Sequence, residues 1–184
     1  MLIVLVNFLP LVLYAEDQRT IPLDVYLVID CSSSLEPSKP DTIAWINDQV
    51  IDRILMDGDK ITIWSAGAEA QVTHSAVISG TAGKEEIRNK LNELNTGGRT
   101  ADFSGALRDV QSRISQTSGD PGRLPYTILI TASARGLEPA LTGGSQGLFR
   151  WFRSERYEGW QVLIVGLDIG RKVQQAASAY MNSR

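Results

Sequence analysis

One cysteine, Cys31, and one histidine, His74, stand in 184 residues. A single thiol excludes an internal disulfide, and the two residues together fall short of a zinc cage of the usual kind. Aromatic residues make up only 7% of the chain, and 18 Lys and Arg against 21 Asp and Glu leave a net charge of −3. With a sequence pI of about 5.2, the charge argues against nucleic acid or an anionic membrane surface as partner. No P-loop, dinucleotide glycine pattern or Gly-x-Ser-x-Gly elbow occurs, so no small-molecule substrate suggests itself. A serine nucleophile needs a base within hydrogen-bond reach, and His74 belongs to a predicted strand far in sequence from the serine cluster. The chain therefore reads as a non-enzyme.

What is present is 43% hydrophobic and 21% charged sequence, enough for one globular domain with a sizeable core. Met1 to Ala15 carries no charge and is almost wholly apolar, and Glu16-Asp17 opens a polar segment. This predicts a signal peptide over 1–15, cut after Ala15, and a folded domain over 16–184. The basic n-region is missing, since no Lys or Arg precedes Arg19. The run is short for a membrane-spanning helix, with a truncated anchor as the alternative. The expected location is secreted or periplasmic.

Apolar runs at Leu23–Ile29, Tyr126–Thr131 and Trp160–Gly166 predict buried strands of a parallel sheet. Lys60–Ser65 and Gln71–Ile78 predict two more strands, joined tightly and therefore antiparallel. Helices are expected over Ile43–Met56, Lys84–Leu94, Asp102–Ser115, Gly147–Arg156 and Arg171–Tyr180. Gly80–Gly83 is expected to break the chain, and Ala132–Gly144 to form a long loop. The alternation predicts an α/β fold: a doubly wound, mostly parallel central sheet flanked by helices, with one antiparallel edge strand.

Chemistry gathers where the first of these strands ends, at Leu27-Val-Ile-Asp-Cys-Ser-Ser-Ser34. Ligands of open α/β sheets bind outside the carboxyl ends of strands. Asp30, Ser32 and Ser34 offer one carboxylate and two hydroxyls, an all-oxygen set that suits a hard cation such as Mg²⁺. A turn in which Asp30 and the serines bond local backbone explains the same residues without a ligand. Further on, Asn95-Thr-Gly-Gly-Arg-Thr100 leads into a helix. Gly97-Gly98 marks a close backbone approach or a sharp turn, and Thr100 stands where a hydroxyl caps the helix.

Asp30-x-Ser32-x-Ser34 after an apolar strand, followed by the Gly97-Gly98-x-Thr100 loop, resembles the von Willebrand factor A (vWA) domain family. The order of strands and helices from Leu23 onward resembles it too. The resemblance implies a metal-ion-dependent adhesion site with Asp30, Ser32, Ser34 and Thr100 as ligands and Mg²⁺ or Mn²⁺ as cofactor. It implies a protein partner whose acidic side chain completes the coordination.

Two departures stand out. The stretch from Thr100 to Ala106-Leu107 is one residue longer than the family's spacing, so a strict register puts Ala101 at the threonine position. Where the family has an aspartate after the later strand's final threonine, this chain has Ala132. One carboxylate compensates a divalent ion less than two. The leading expectation is a protein-binding module with a weak or partner-completed Mg²⁺ or Mn²⁺ site. The alternative is a metal-independent structural or assembly module with a vestigial metal loop, in which Arg99 and Arg135 bind a partner carboxylate directly. An unrecognised hydrolase using the serine loop is the third.

Overall fold

A computed structural model describes residues 3–6, 19–117, 122–132, 134–142 and 160–166. Among these described residues six strands form one sheet: β1 (Ile3–Val6), β2 (Leu23–Asp30), β3 (Lys60–Ala66), β4 (Ala70–Val77), β5 (Leu124–Thr131) and β6 (Gln161–Gly166), in the order β1-β6-β5-β2-β3-β4. All neighbours are parallel except β3 and β4. The antiparallel strand is at the edge, as its tight connection predicts. β2 lies between β5 and β3 and is buried along its whole length. An unbroken apolar run is what a strand covered on both faces requires.

The two faces carry separate cores. On one, Tyr26, Val28, Trp64 and Leu129 of the sheet meet Phe103, Leu107, Val110 and Ile114 of α3 (Phe103–Thr117) and Leu137 and Leu141 of α4 (Ala134–Thr142). On the other, Val25, Leu27, Ile29, Ile61, Ile63, Ile128 and Ile130 meet the helical stretch that follows β2, through Ile46, Val50 and Ile51, and α2 (Gly80–Asn92), through Ile87 and Leu91. The alternation along β2 between these lists is the pleat of the strand.

Three local expectations are corrected. The predicted helix over Ile43–Met56 begins earlier, as α1 (Lys39–Trp45), and then widens into a π-helical stretch, Ile46–Asp52. Widening brings Ile46, Val50 and Ile51 onto the sheet together, all fully buried. Gly80–Gly83 does not break the chain; it is the first turn of α2 (Gly80–Asn92), whose leading N–H donates to Asp57 Oδ1 at 2.8 Å. Ala132–Gly144 is not a long loop, because α4 occupies most of it in spite of Pro139. Leu137, Ala140 and Leu141 recur at helical spacing and bury against the sheet, and that burial outweighs poor local propensity. The helices expected at Gly147–Arg156 and Arg171–Tyr180 lie outside the described residues. Asp57-Gly58-Asp59 turns the chain into β3, with Gly58 at φ +88°, a conformation that glycine adopts without strain.

Candidate metal centre

Asp30 is the last residue of β2 and is fully buried. Its Oδ1 accepts the Ser32 N–H at 2.8 Å, which closes a tight turn over Cys31. Its Oδ2 accepts the Thr131 hydroxyl at 3.0 Å and the Ala132 N–H at 3.2 Å. A carboxylate offers about four acceptor positions, and three of them are filled from within the chain.

The loop after β2 is stitched to the glycine loop by backbone alone. Ser33 N donates to Gly98 O at 2.8 Å, and Gly97 N and Gly98 N both donate to Cys31 O, at 3.1 and 3.3 Å. A Cβ at position 98 would meet the Thr100 carbonyl at 3.4 Å and the Cys31 carbonyl at 3.5 Å, in ordinary contact. The close approach expected of Gly97-Gly98 is therefore an approach to Cys31. On the far side, Cys31 N donates to Ala66 O at 2.9 Å and Asp102 N to Gly67 O at 2.8 Å. Four chain segments thus meet at the carboxyl ends of β2, β3 and β5.

Within this frame the predicted residues separate. Asp30 and Ser32 are buried. Ser34, Arg99 and Thr100 are exposed, and their side chains have no hydrogen-bond or ion-pair partner among the described residues. Ala101 packs against the core under α3, and Thr100 is exposed. The cap of α3 is not Thr100 but Asp102, whose Oδ1 accepts the Gly105 N–H at 2.8 Å. Sequence reading missed this cap, although an aspartate directly before an apolar helical period is a strong signal for one. A Cβ at position 105 would come within 2.1 Å of Asp102 Oδ2, so this cap needs glycine there. Arg135 falls in the first turn of α4; its side chain lies outside the described residues, as does Ser133.

The Cys31 thiol is buried, and burial raises its pKa above the ordinary thiol value, with a Ser65 hydrogen bond pulling the other way. It is an inert packing group rather than a nucleophile. His74 sits on β4 with Nε2 3.8 Å from Glu86 Oε1 of α2, an arrangement that offers no base to the serines.

For a divalent ion the donor set is sparsely charged. It supplies one carboxylate with a single acceptor position left and otherwise neutral hydroxyls. Among the described residues no three His, Cys, Asp or Glu side chains converge to hold a metal ion. Thr131 and the Ala132 amide, which take up Asp30 Oδ2, are the functional neighbours that sequence reading did not identify. They lie about a hundred positions away, and only the β2–β5 pairing brings them close.

No family model matches the chain. A protein of Treponema pallidum (strain Nichols), described only as uncharacterized, is 23% identical and is aligned over 87% of this chain and 75% of its own length. Among solved structures, a von Willebrand factor type A protein from Catenulispora acidiphila superposes with a TM-score of 0.54 at 14% identity, over 89% of this chain and 42% of that one. The manganese-loaded TRAP protein of Plasmodium vivax gives 0.57 at 20% identity, over 89% and 63%. Proximal thread matrix protein 1 of the mussel byssus, with a zinc-occupied MIDAS motif, gives 0.53 at 16% identity, over 79% and 38%. The chain spans less than two thirds of each of these three structures. These superpositions establish that the chain has the von Willebrand factor A fold.

Proposed function

We propose that the chain is an extracytoplasmic protein-binding module, not an enzyme, and that it takes an acidic side chain of its partner at the loops that follow β2 and precede α3. The observation that carries this reading is the division of labour at the site. Asp30 spends its carboxylate inside the chain, while Arg99, Thr100 and Ser34 stand exposed on loops tied together through backbone. A guanidinium with adjacent hydroxyls matches a carboxylate by paired, charge-assisted hydrogen bonds. Arg135 is proposed as a second cation for the same group, from the start of α4. Export rests on the apolar, uncharged Met1–Ala15. No helix among the described residues is long and apolar enough to cross a membrane.

A second reading keeps the metal. Asp30 retains one acceptor position, the Ser34 and Thr100 hydroxyls are unspent, and two solved structures of this fold hold manganese and zinc. In this reading Mg²⁺ or Mn²⁺ binds only when the partner adds its own carboxylate.

A photo-crosslinking residue at position 34 in the full chain, used in the native host, identifies the partner, and its affinity is then measured with and without chelator. Arg99→Ala is expected to weaken binding at least about tenfold, about 1.4 kcal/mol, with Arg99→Lys falling between. Binding that ignores Arg99→Ala sinks the first reading. Binding that is lost in chelator and in Ser34→Ala, with no melting shift of the free chain in Mg²⁺ or Mn²⁺, establishes the second.

A further inference from the structure

β1 closes one side of the sheet, and it comes from the stretch of sequence least expected there. Ile3–Val6 runs parallel to β6, its one sheet neighbour among the described residues, in the register Ile3↔Val162 to Val6↔Val165. Three of these four residues are β-branched and all are aliphatic, a composition that suits a strand. The connection from Val6 to Leu23 exceeds the roughly one dozen residues that a parallel crossover needs. The paired residues lie about 160 positions apart in sequence. Contacts of such separation carry the largest loop-closure cost and form last. During synthesis the N-terminal run therefore waits, unpaired, until β6 exists. The same residues sit inside the uncharged Met1–Ala15 run that reads as an export segment.

Removing that segment changes the sheet. The outward-facing amides and carbonyls of β6 within Val162–Val165 lose their partner, and an unpaired strand edge is a template for another strand. Val162, Ile164 and Val165 behind that edge are buried, so the edge is rigidly backed. We propose that the outer edge of β6 is a strand-binding site. In the full chain it holds Ile3–Val6. Once the N-terminal segment is cut away, it takes an extended, uncharged aliphatic strand of a partner protein, laid parallel to β6. The occupant is specified by the one already seated: main-chain hydrogen bonds supply the affinity, and alternate side chains supply the selectivity. The second half of this proposal rests on the export reading given above; the first half does not.

The test uses the full chain with a protease recognition sequence placed between Ala15 and Arg19, cut after folding. Amide hydrogen exchange is followed by mass spectrometry over 161–166. The uncut chain is expected to protect these amides. Cutting, with separation of the released segment, is expected to speed their exchange at least about tenfold. A synthetic peptide carrying Ile3-Val-Leu-Val6 is expected to restore protection, and the same peptide with Leu5→Pro is not. Unchanged exchange after cutting and separation overturns the proposal, as does failure of the peptide to protect. Global unfolding on cutting also overturns it, because a site that can be vacated cannot hold the domain together. The N-terminal mass of the exported protein tests the export reading separately. An intact Met1 with protected 161–166 amides defeats the partner half and supports the intramolecular strand.

Discussion

Replacing Asp30 by alanine would take the carboxylate acceptor from three donors at once: the Ser32 N–H, the Thr131 hydroxyl and the Ala132 N–H. Each unsatisfied buried group costs on the order of 1–3 kcal/mol, and the three cannot all recover water in a fully buried site. Asp30→Ala is therefore expected to lose about 3–5 kcal/mol of stability, read as a lower urea midpoint with an unchanged slope. Asp30→Asn keeps the volume but turns one acceptor into a donor that faces a donor, so it falls short of rescue. A loss below about 1 kcal/mol for Asp30→Ala would mean that the carboxylate is not the staple its bonds describe. The consequence for function is direct. Asp30→Ala cannot serve as a clean probe of metal binding, because it perturbs the fold. Ser34→Ala and Thr100→Ala, both exposed and unbonded, are the informative changes.

At the scale of elements, a second buried aspartate repeats the device at the opposite end of the sheet. Asp59 Oδ1 accepts Leu23 N at 2.7 Å, and Oδ2 accepts Met56 N at 2.8 Å and Arg19 Nη2 at 2.9 Å. The same guanidinium donates to Ile54 O at 2.7 Å. One carboxylate thus clasps the head of β2 to the chain entering β3. Asp59→Ala is expected to lose about 3–5 kcal/mol, because it leaves two backbone donors without their acceptor and takes the carboxylate away from a half-buried cation. Arg19→Ala should cost less, about 2 kcal/mol, since its side chain keeps 19% exposure and water screens part of the pair. Chemical denaturation of the two variants checks the order; equal losses would show that the backbone donors contribute nothing. Arg19 lies beyond Ala15, so a chain cut there keeps its clasp.

The elements also show how far sequence reasoning reaches. Five of the six described strands were legible because continuous apolar runs and one tight connection leave few alternatives; β1 was not, because its apolar run reads as part of an export segment. The loop after β2 was legible as a turn because Asp and Ser bond nearby backbone. α4 was not legible, since Gly, Ala and Pro argue for a loop and only the sheet beneath Leu137 and Leu141 argues for a helix. Nor was the fate of Asp30 Oδ2, which depends on Thr131, a residue in another strand. The Asp102 cap was legible and was assigned to the wrong neighbour.

For the whole molecule, burial sets a limit on stability at high pH. The Cys31 thiol and the Tyr126 phenol are both pushed up by burial. Each holds its proton in the folded chain at pH values where the unfolded chain has begun to lose it. Below the unfolded pKa values, about 8.5 for a thiol and 10 for a phenol, both states are protonated and neither group makes stability depend on pH. Above them the unfolded state binds fewer protons than the folded state, so unfolding becomes more favourable as pH rises. Stability should therefore fall from about pH 8.5 upward, with a second and steeper limb above about pH 10. Denaturant midpoints measured between neutrality and that second limb check the shape. Cys31→Ala lowers the whole curve through lost packing but should remove the first limb, leaving the phenol limb in place. A Cys31→Ala chain that keeps the first limb unchanged would move the cause away from the thiol, and with it the view that the loop after β2 is anchored from beneath by a neutral, buried sulfur.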